Sequence, residues 1–229
     1  LNQAQKNAAD YELPHKLQNL LIQPDGYKAI VAAVLANTWE TETTALIAHC
    51  KQRTEPLAKA ILDLAAFYPT DPALLLVPLL EPHILQPGQA LYLSPGVLHA
   101  YLGGLALEAM GPSDNVVRAG FTRKKVDPTT LLAIIETDET PQVQNPASPV
   151  HQYQTGEAFT LQRLQQTELT VDTLRSGDLV VATFGTTTLT ANGQQLALTA
   201  GNVAWVPQSD GPSHLTTDGE AFQVSSPPG

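Results

Sequence analysis

The sequence predicts an α+β chain in which a helical unit is followed by antiparallel β segments. Three observations carry that reading. Up to about residue 70 the apolar residues recur at helical spacing. From about Leu75 they come in short runs punctuated by Pro and Gly, which reads as strands. Beyond about residue 150, Thr- and Val-rich stretches are separated by Gly, Asn and Asp, as in a small sandwich or barrel.

The helices follow in order. "HKLQNLLI" places Leu17, Leu20 and Leu21 on one face, and Pro24, Asp25 and Gly26 then break the pattern. "YKAIVAAVLANTW" and "ETETTALIAHCKQR" supply two more helices. The fourth, "TEPLAKAILDLAAFY", offers Thr54 as a cap and Pro56 in the first turn. Leu57, Ile61, Leu64 and Ala65 form its stripe. A four-helix unit over residues 1–72 is the economical reading.

Strand and turn signals dominate from there. Pro87-Gly88 and Pro95-Gly96 bracket the strand-like "QALYLS", and "DPTTLLAII" predicts a short helix beginning near Asp127. "ETDETPQVQNPASPVHQY" is acidic and Pro-rich, which suits a surface linker. The segmentation is therefore 1–72, 73–140 and 141–229. In the last segment Asn192-Gly193 is the strongest hairpin signal. A faint repeat relates "LQPGQALYLSPGVLH" to "LTAGNVAWVPQSDGPSH". The second copy has Pro212 where the first has His99, with His214 two residues late, so chemistry is expected in the first copy only.

Composition narrows the function. The formal net charge is -10, which repels phosphate backbones and anionic lipid, so neither nucleic acid nor membrane is an expected partner. The longest apolar run, Ala73 to Leu80, is too short to span a bilayer. The N-terminus has no apolar core behind a basic start, so no signal peptide is read there. Cys50 is the only cysteine, which fits a reducing cytoplasm and a buried helical position. A small phosphorylated ligand remains compatible, because the basic cluster from Arg118 to Lys125 is a local cationic patch. A monomer is the expected state.

The chemistry concentrates in "PGVLHAYLGGLALEAMGPSDNVVRAGFTRKKVD". A Gly, a strand, Pro-Gly and then His resembles the second signature motif of cupins, small jelly-roll barrels that often hold a metal. The fuller string is similar to the signature of type I phosphomannose isomerases. His99, Ala100, Tyr101, Leu102, Gly104, Glu108, Met110, Ser113, Asp114, Asn115, Val116, Arg118, Ala119, Gly120, Thr122 and Lys124 carry the match. Phe121 stands where that family has Leu, and Arg123 where it has Pro. The sharp motifs lie between about Leu80 and Asp127, while the helix-then-barrel layout extends the likeness over most of the chain.

The resemblance implies cupin-like jelly-roll segments and a zinc-dependent interconversion of mannose 6-phosphate and fructose 6-phosphate. It makes His99 a zinc ligand and places Arg118 in the active site, where a fixed cation would stabilise an enediolate. Glu108 and Tyr101 either move the proton between C1 and C2, or orient neighbours and fill core. The matched Lys124 would face the phosphate, whereas Lys125 reads as a solvated turn. The family's other zinc ligands come from motifs resembling Q-x-H and NHKPE, and neither occurs here. "LPHK" at Leu13 to Lys16 lacks the Glu. With Leu1 in place of Met, this reads as the C-terminal portion of a longer enzyme with zinc held only in the intact protein. A non-catalytic, bicupin-like sugar-binding or interaction module is the competing class. A metal cupin of dioxygenase type ranks below both, because no H-x-H cluster is present. His15, His49, His83, His151 and His214 have no ligand-like spacing, and Asp71, Asp138 and Glu139 read as loop charges.

Overall fold

The computed structural model describes residues 3–111, 113, 116–171 and 177–226. Of these, residues within 3–84, 95–105 and 116–140 form one unit, and residues within 85–94, 106–113 and 141–226 form another. The first is helical and the second is an antiparallel β sandwich of cupin-like type, so the chain is α+β as its sequence predicts.

The helical unit holds α1 (Gln3–Asp10), α2 (His15–Leu20), α3 (Gly26–Leu35), α4 (Glu40–Cys50), α5 (Pro56–Phe67) and α6 (Pro128–Ile134). Each turns a narrow stripe inward. Ala4 and Ala8 do so in α1, Ile30, Val31 and Val34 in α3, Thr43, Leu46 and Cys50 in α4, and Ala58, Ile61 and Ala65 in α5. Gly26 is required at the head of α3, because a Cβ there would stand 2.6 Å from the Leu20 carbonyl oxygen. Cys50 is fully buried, and burial pushes its thiol up to about 11. It is a small hydrophobe here, not a nucleophile.

Three expectations about this unit change. It has a helix more than the sequence reading gave, because α1 precedes "HKLQNLLI". Thr54 does not cap α5, since Glu55 occupies that position without a side-chain cap, while Pro56 does begin the helix. The larger correction concerns the run after Tyr68, where strand signals were read from about Leu75. Pro72–Leu79 is instead a 3₁₀ segment, and every residue from Ala73 to Leu79 is buried. A run that is apolar on all sides does not distinguish strand from buried helix. Pro72 and Pro78 decide it, since neither can donate to a sheet ladder. This segment packs against α1, α3, α4 and α5 and so forms the hub of the core.

The helix near Asp127 does form. Asp127 caps α6 by accepting from the Thr130 amide at 3.1 Å and the Thr130 hydroxyl at 2.9 Å. The Thr130 backbone bond, first among these causes, holds its carboxyl below the ordinary value. Leu131 and Ile135 then bury α6 against the same core.

The second unit is built from β1 (Ala90–Leu91), β2 (Val143–Gln144), β3 (Val150–Tyr153), β4 (Thr160–Gln165), β5 (Glu168–Val171), β6 (Gly177–Phe184), β7 (Thr186–Ala191), β8 (Gln194–Thr199), β9 (Val203–Pro207), β10 (Ser213–Thr217) and β11 (Glu220–Ser225). The five-stranded sheet runs β3-β4-β11-β6-β9 and the four-stranded sheet β5-β10-β7-β8, with every pair antiparallel. Alternation puts Val180 and Ala182 of β6 inside with Leu164, Leu189, Leu198, Val206 and Leu215. Asn192 and Gly193 take φ values of 48° and 70° between β7 and β8, the two-residue hairpin their pairing predicts. "QALYLS" contributes only the short β1, paired with β2. The stretch read as a linker supplies β2 and also β3, an edge of the five-stranded sheet. An edge strand can be Pro-rich at its borders and polar on its open side, which is why composition there imitates a linker. Among the described residues no helix is long and apolar enough to cross a membrane.

The hub can be tested by Leu75→Ala. Leu75 is fully buried in the 3₁₀ segment, and truncating such a residue costs about 2–5 kcal/mol. Chemical denaturation should show a loss of that size, whereas a loss below about 1 kcal/mol would remove the segment from the centre of the core.

Candidate active site

The signature stretch has little regular structure of its own, so neighbouring elements must position it. At its start, Gly96 has a φ of 90°, and a Cβ there would meet the Ile134 carbonyl oxygen at 2.4 Å. The Glu136 amide donates to the Gly96 carbonyl at 3.0 Å, and Val97 bridges Glu136. The residues leading into His99 are thereby fastened to the end of α6, with Leu98 packed on the helical core.

His99 itself is exposed, and its Nδ1 lies 2.9 Å from the Val97 carbonyl oxygen. A carbonyl can only accept, so Nδ1 carries the hydrogen. In the neutral ring Nε2 then holds the free lone pair. Fixing one ring nitrogen on a backbone carbonyl so that the other can ligate is the usual support of a metal-bound histidine. The Tyr101 ring stands edge-on to His99, with centroids 6.0 Å apart and planes at 75°. Tyr101 is half or more exposed, so it is not the core residue that one reading of it required.

Arg118 sits in the second fastened stretch. Val117, Ala119 and Phe121 pack against the helical core, and Arg118 lies among them, partly exposed. Gly120 passes so close to the hub that a Cβ would stand 2.3 Å from Ala73 Cβ. The Phe121 amide donates to Asp71 Oδ2 at 2.7 Å, while Asp71 Oδ1 accepts from the Ala73 amide at 2.9 Å. Phe121 has a φ of 52° and rests its ring 5.9 Å from that of Tyr68. Asp71 therefore ties the Arg118 stretch to the head of the 3₁₀ segment. From sequence alone it reads as a loop charge. The signal that could have found it is the pair Asp71-Pro72, an N-cap residue followed by a first-turn proline.

Lys124 is exposed, and its amide donates to Thr122 Oγ1 at 3.0 Å. His99, Tyr101, Arg118 and Lys124 all belong to the helical unit, whereas Glu108 belongs to the unit that contains the sandwich. Asp114, one of the matched signature residues, lies outside the described residues. Among the described residues, none of the ion pairs involves Arg118.

The fit to zinc is incomplete. Among the described residues no three His, Cys, Asp or Glu side chains gather as a metal site. Zinc takes three or four protein ligands, and His99 Nε2 is a single candidate donor. Two other histidines are engaged elsewhere: His151 Nδ1 accepts from the Ala147 amide at 3.2 Å, and His214 Nδ1 lies 3.1 Å from Thr170 Oγ1.

The class is that of an α+β chain of cupin-like type, with an imidazole fastened at His99 and an arginine on a separately fastened stretch. No family model matches the chain. Mannose-6-phosphate isomerase from Escherichia coli (strain K12) is 32% identical over 222 residues, covering 91% of this chain and 56% of that protein. The enzyme of the same name from Shigella flexneri is 34% identical over 181 residues, covering 76% of this chain and 46% of its own length. The chain is homologous to these mannose-6-phosphate isomerases, and it spans about half the length of the curated relatives it matches. In fold it is similar to mannose 6-phosphate isomerase from Salmonella typhimurium, solved with fructose 6-phosphate and zinc. That match has a TM-score of 0.78 at 23% identity and covers 98% of this chain and 61% of the other.

Asp71→Ala should loosen the Arg118 stretch first. Leaving two amides without their acceptor costs about 1–3 kcal/mol, and the part-exposed position puts the loss at the low end of that range. Amide hydrogen exchange at Phe121 should accelerate well before the core does. Unaltered exchange would assign the fastening to another group.

Proposed function

We propose that the protein to which this chain belongs interconverts mannose 6-phosphate and fructose 6-phosphate and uses zinc. The observation that carries the proposal is the homology over 91% of the chain to a protein named for that activity. The signature residues from His99 to Lys124 support it further. The neighbouring Salmonella structure, described as bound to fructose 6-phosphate and zinc, supports the choice of substrate and metal.

The roles follow from chemistry. Converting the aldose to the ketose removes a proton from C2 and returns one to C1 through an enediolate. Arg118 is the fixed cation for that developing charge, because a guanidinium stays protonated and presents several donors to an oxyanion. Glu108 or Tyr101 moves the proton, and Lys124 faces the phosphate. His99 Nε2 is one zinc ligand, with the remaining ligands outside the described residues. Bound zinc would supply Lewis acidity, but the residues described do not by themselves fit the ion, so the steps above are assigned to side chains alone. A chain whose described residues correspond to part of such an enzyme, its C-terminal portion, is consistent with the single ligand.

One observation favours a second reading. A single metal donor among the described residues is also what a non-catalytic sugar-binding module would show. Turnover separates the two. In the active enzyme Arg118→Ala should lower kcat by about 10²–10³-fold, the usual cost of losing one donor to a transition-state oxyanion, with a much smaller change in KM. An unchanged kcat would remove Arg118 from the chemistry.

A further inference from the structure

The second unit contains a cleft of about 490 Å³, independent of the signature stretch. Residues 146–149 wall one side, Gln165 and Gln166 wall the other, and Arg163 is its one charged lining residue. Arg163 is only 5% exposed, although it lies on β4 beside Leu164, whose side chain faces the sandwich interior. Alternation therefore puts Arg163 on the outer face, and its burial comes from chain laid over that face. Gly88 contributes to this cover. With a φ of 82°, it runs so close that a Cβ would sit 3.0 Å from the guanidinium carbon. The Tyr153 hydroxyl holds Gly88 there by donating to its carbonyl at 2.6 Å.

Burying an arginine is costly unless its donors are used. Here one is used. Arg163 Nε donates to Glu220 Oε2 at 2.7 Å. Glu220 does not fork onto the guanidinium, because its other oxygen, Oε1, accepts from the Thr183 hydroxyl at 2.7 Å. Among the described residues no hydrogen bond is recorded for either Nη group, and neither is sealed from solvent. The two Nη groups of a rigid, pre-oriented fork thus hold no side-chain or backbone partner among the described residues, and Arg163 lines a cleft whose other lining residues include no acid. The carboxamides of Gln165 and Gln166 add further donors at the rim.

We propose that this cleft binds a small oxyanion, a phosphate or carboxylate group, on the Nη edge of Arg163. A planar pair of N–H groups matches two oxygens of such a group. Glu220 fixes the guanidinium and also offsets its charge, so the expected affinity is modest, in the millimolar range. The site is separate from the proposed isomerase chemistry and stands or falls without it.

The test is a titration of the native protein with inorganic phosphate, and in parallel with acetate, at constant ionic strength. Amide and arginine Nε–H resonances are followed by NMR. The expected result is a saturable shift at Arg163 Nε–H and at the Gln165 and Gln166 amides. Tighter binding of phosphate marks a phosphorylated ligand, and tighter binding of acetate marks a carboxylate. Arg163→Lys, which keeps a cation for Glu220 but loses the fork, should weaken binding roughly ten-fold or more. Should that variant fail to fold, Gln165→Glu places a negative charge at an exposed rim position and should weaken binding comparably. Shifts that never saturate, shifts indifferent to Gln165→Glu, or shifts centred on Arg118 and Lys124 with none in the cleft would each overturn the proposal.

Discussion

The helical unit depends on one constraint: an apolar 3₁₀ segment must be buried on every side with its first turn capped. Pro72–Leu79 offers seven buried residues in succession, and four helices surround it. Burial of that kind is non-directional and supplies bulk stability. Asp71 adds direction. One of its carboxylate oxygens closes the head of the segment at Ala73, and the other reaches Phe121. The stretch that carries Arg118 is thus positioned by the core itself, although it forms no helix or sheet of its own. Gly120 completes the arrangement by leaving room for Ala73.

His99 is held on the same principle at a different place. Its approach is anchored to the end of α6 through Gly96 and Glu136, and its ring orientation is set by the Val97 carbonyl. The result is a single ring nitrogen with a defined lone pair facing outward. Under the proposed function, that nitrogen is the atom that would ligate the metal.

The sequence revealed periodic and locally encoded features well. The α3, α4 and α5 helices, the short helix beginning near Asp127 and the Asn192-Gly193 hairpin each rest on a local rule, and each appears where that rule puts it. The misses share a cause. Pro72–Leu79 has no periodicity to read, because it is enclosed on all sides. β3 is hidden by a composition that an exposed edge shares with a linker. Thr54 obeys a capping preference that the fold overrides by starting α5 at Pro56. Among the candidate site residues, the family resemblance pointed to His99 and Arg118. Asp71 was not, because its partner Phe121 is fifty residues away and only the folded chain brings the two together.

The most direct measurement is formation of fructose 6-phosphate from mannose 6-phosphate by the protein carrying this chain, before and after chelation and again after zinc is restored. The account predicts turnover that is lost on chelation, recovered with zinc, and absent in His99→Ala even when zinc is added. A protein that binds the sugar phosphate without turning it over, or whose turnover survives both chelation and His99→Ala, would contradict it.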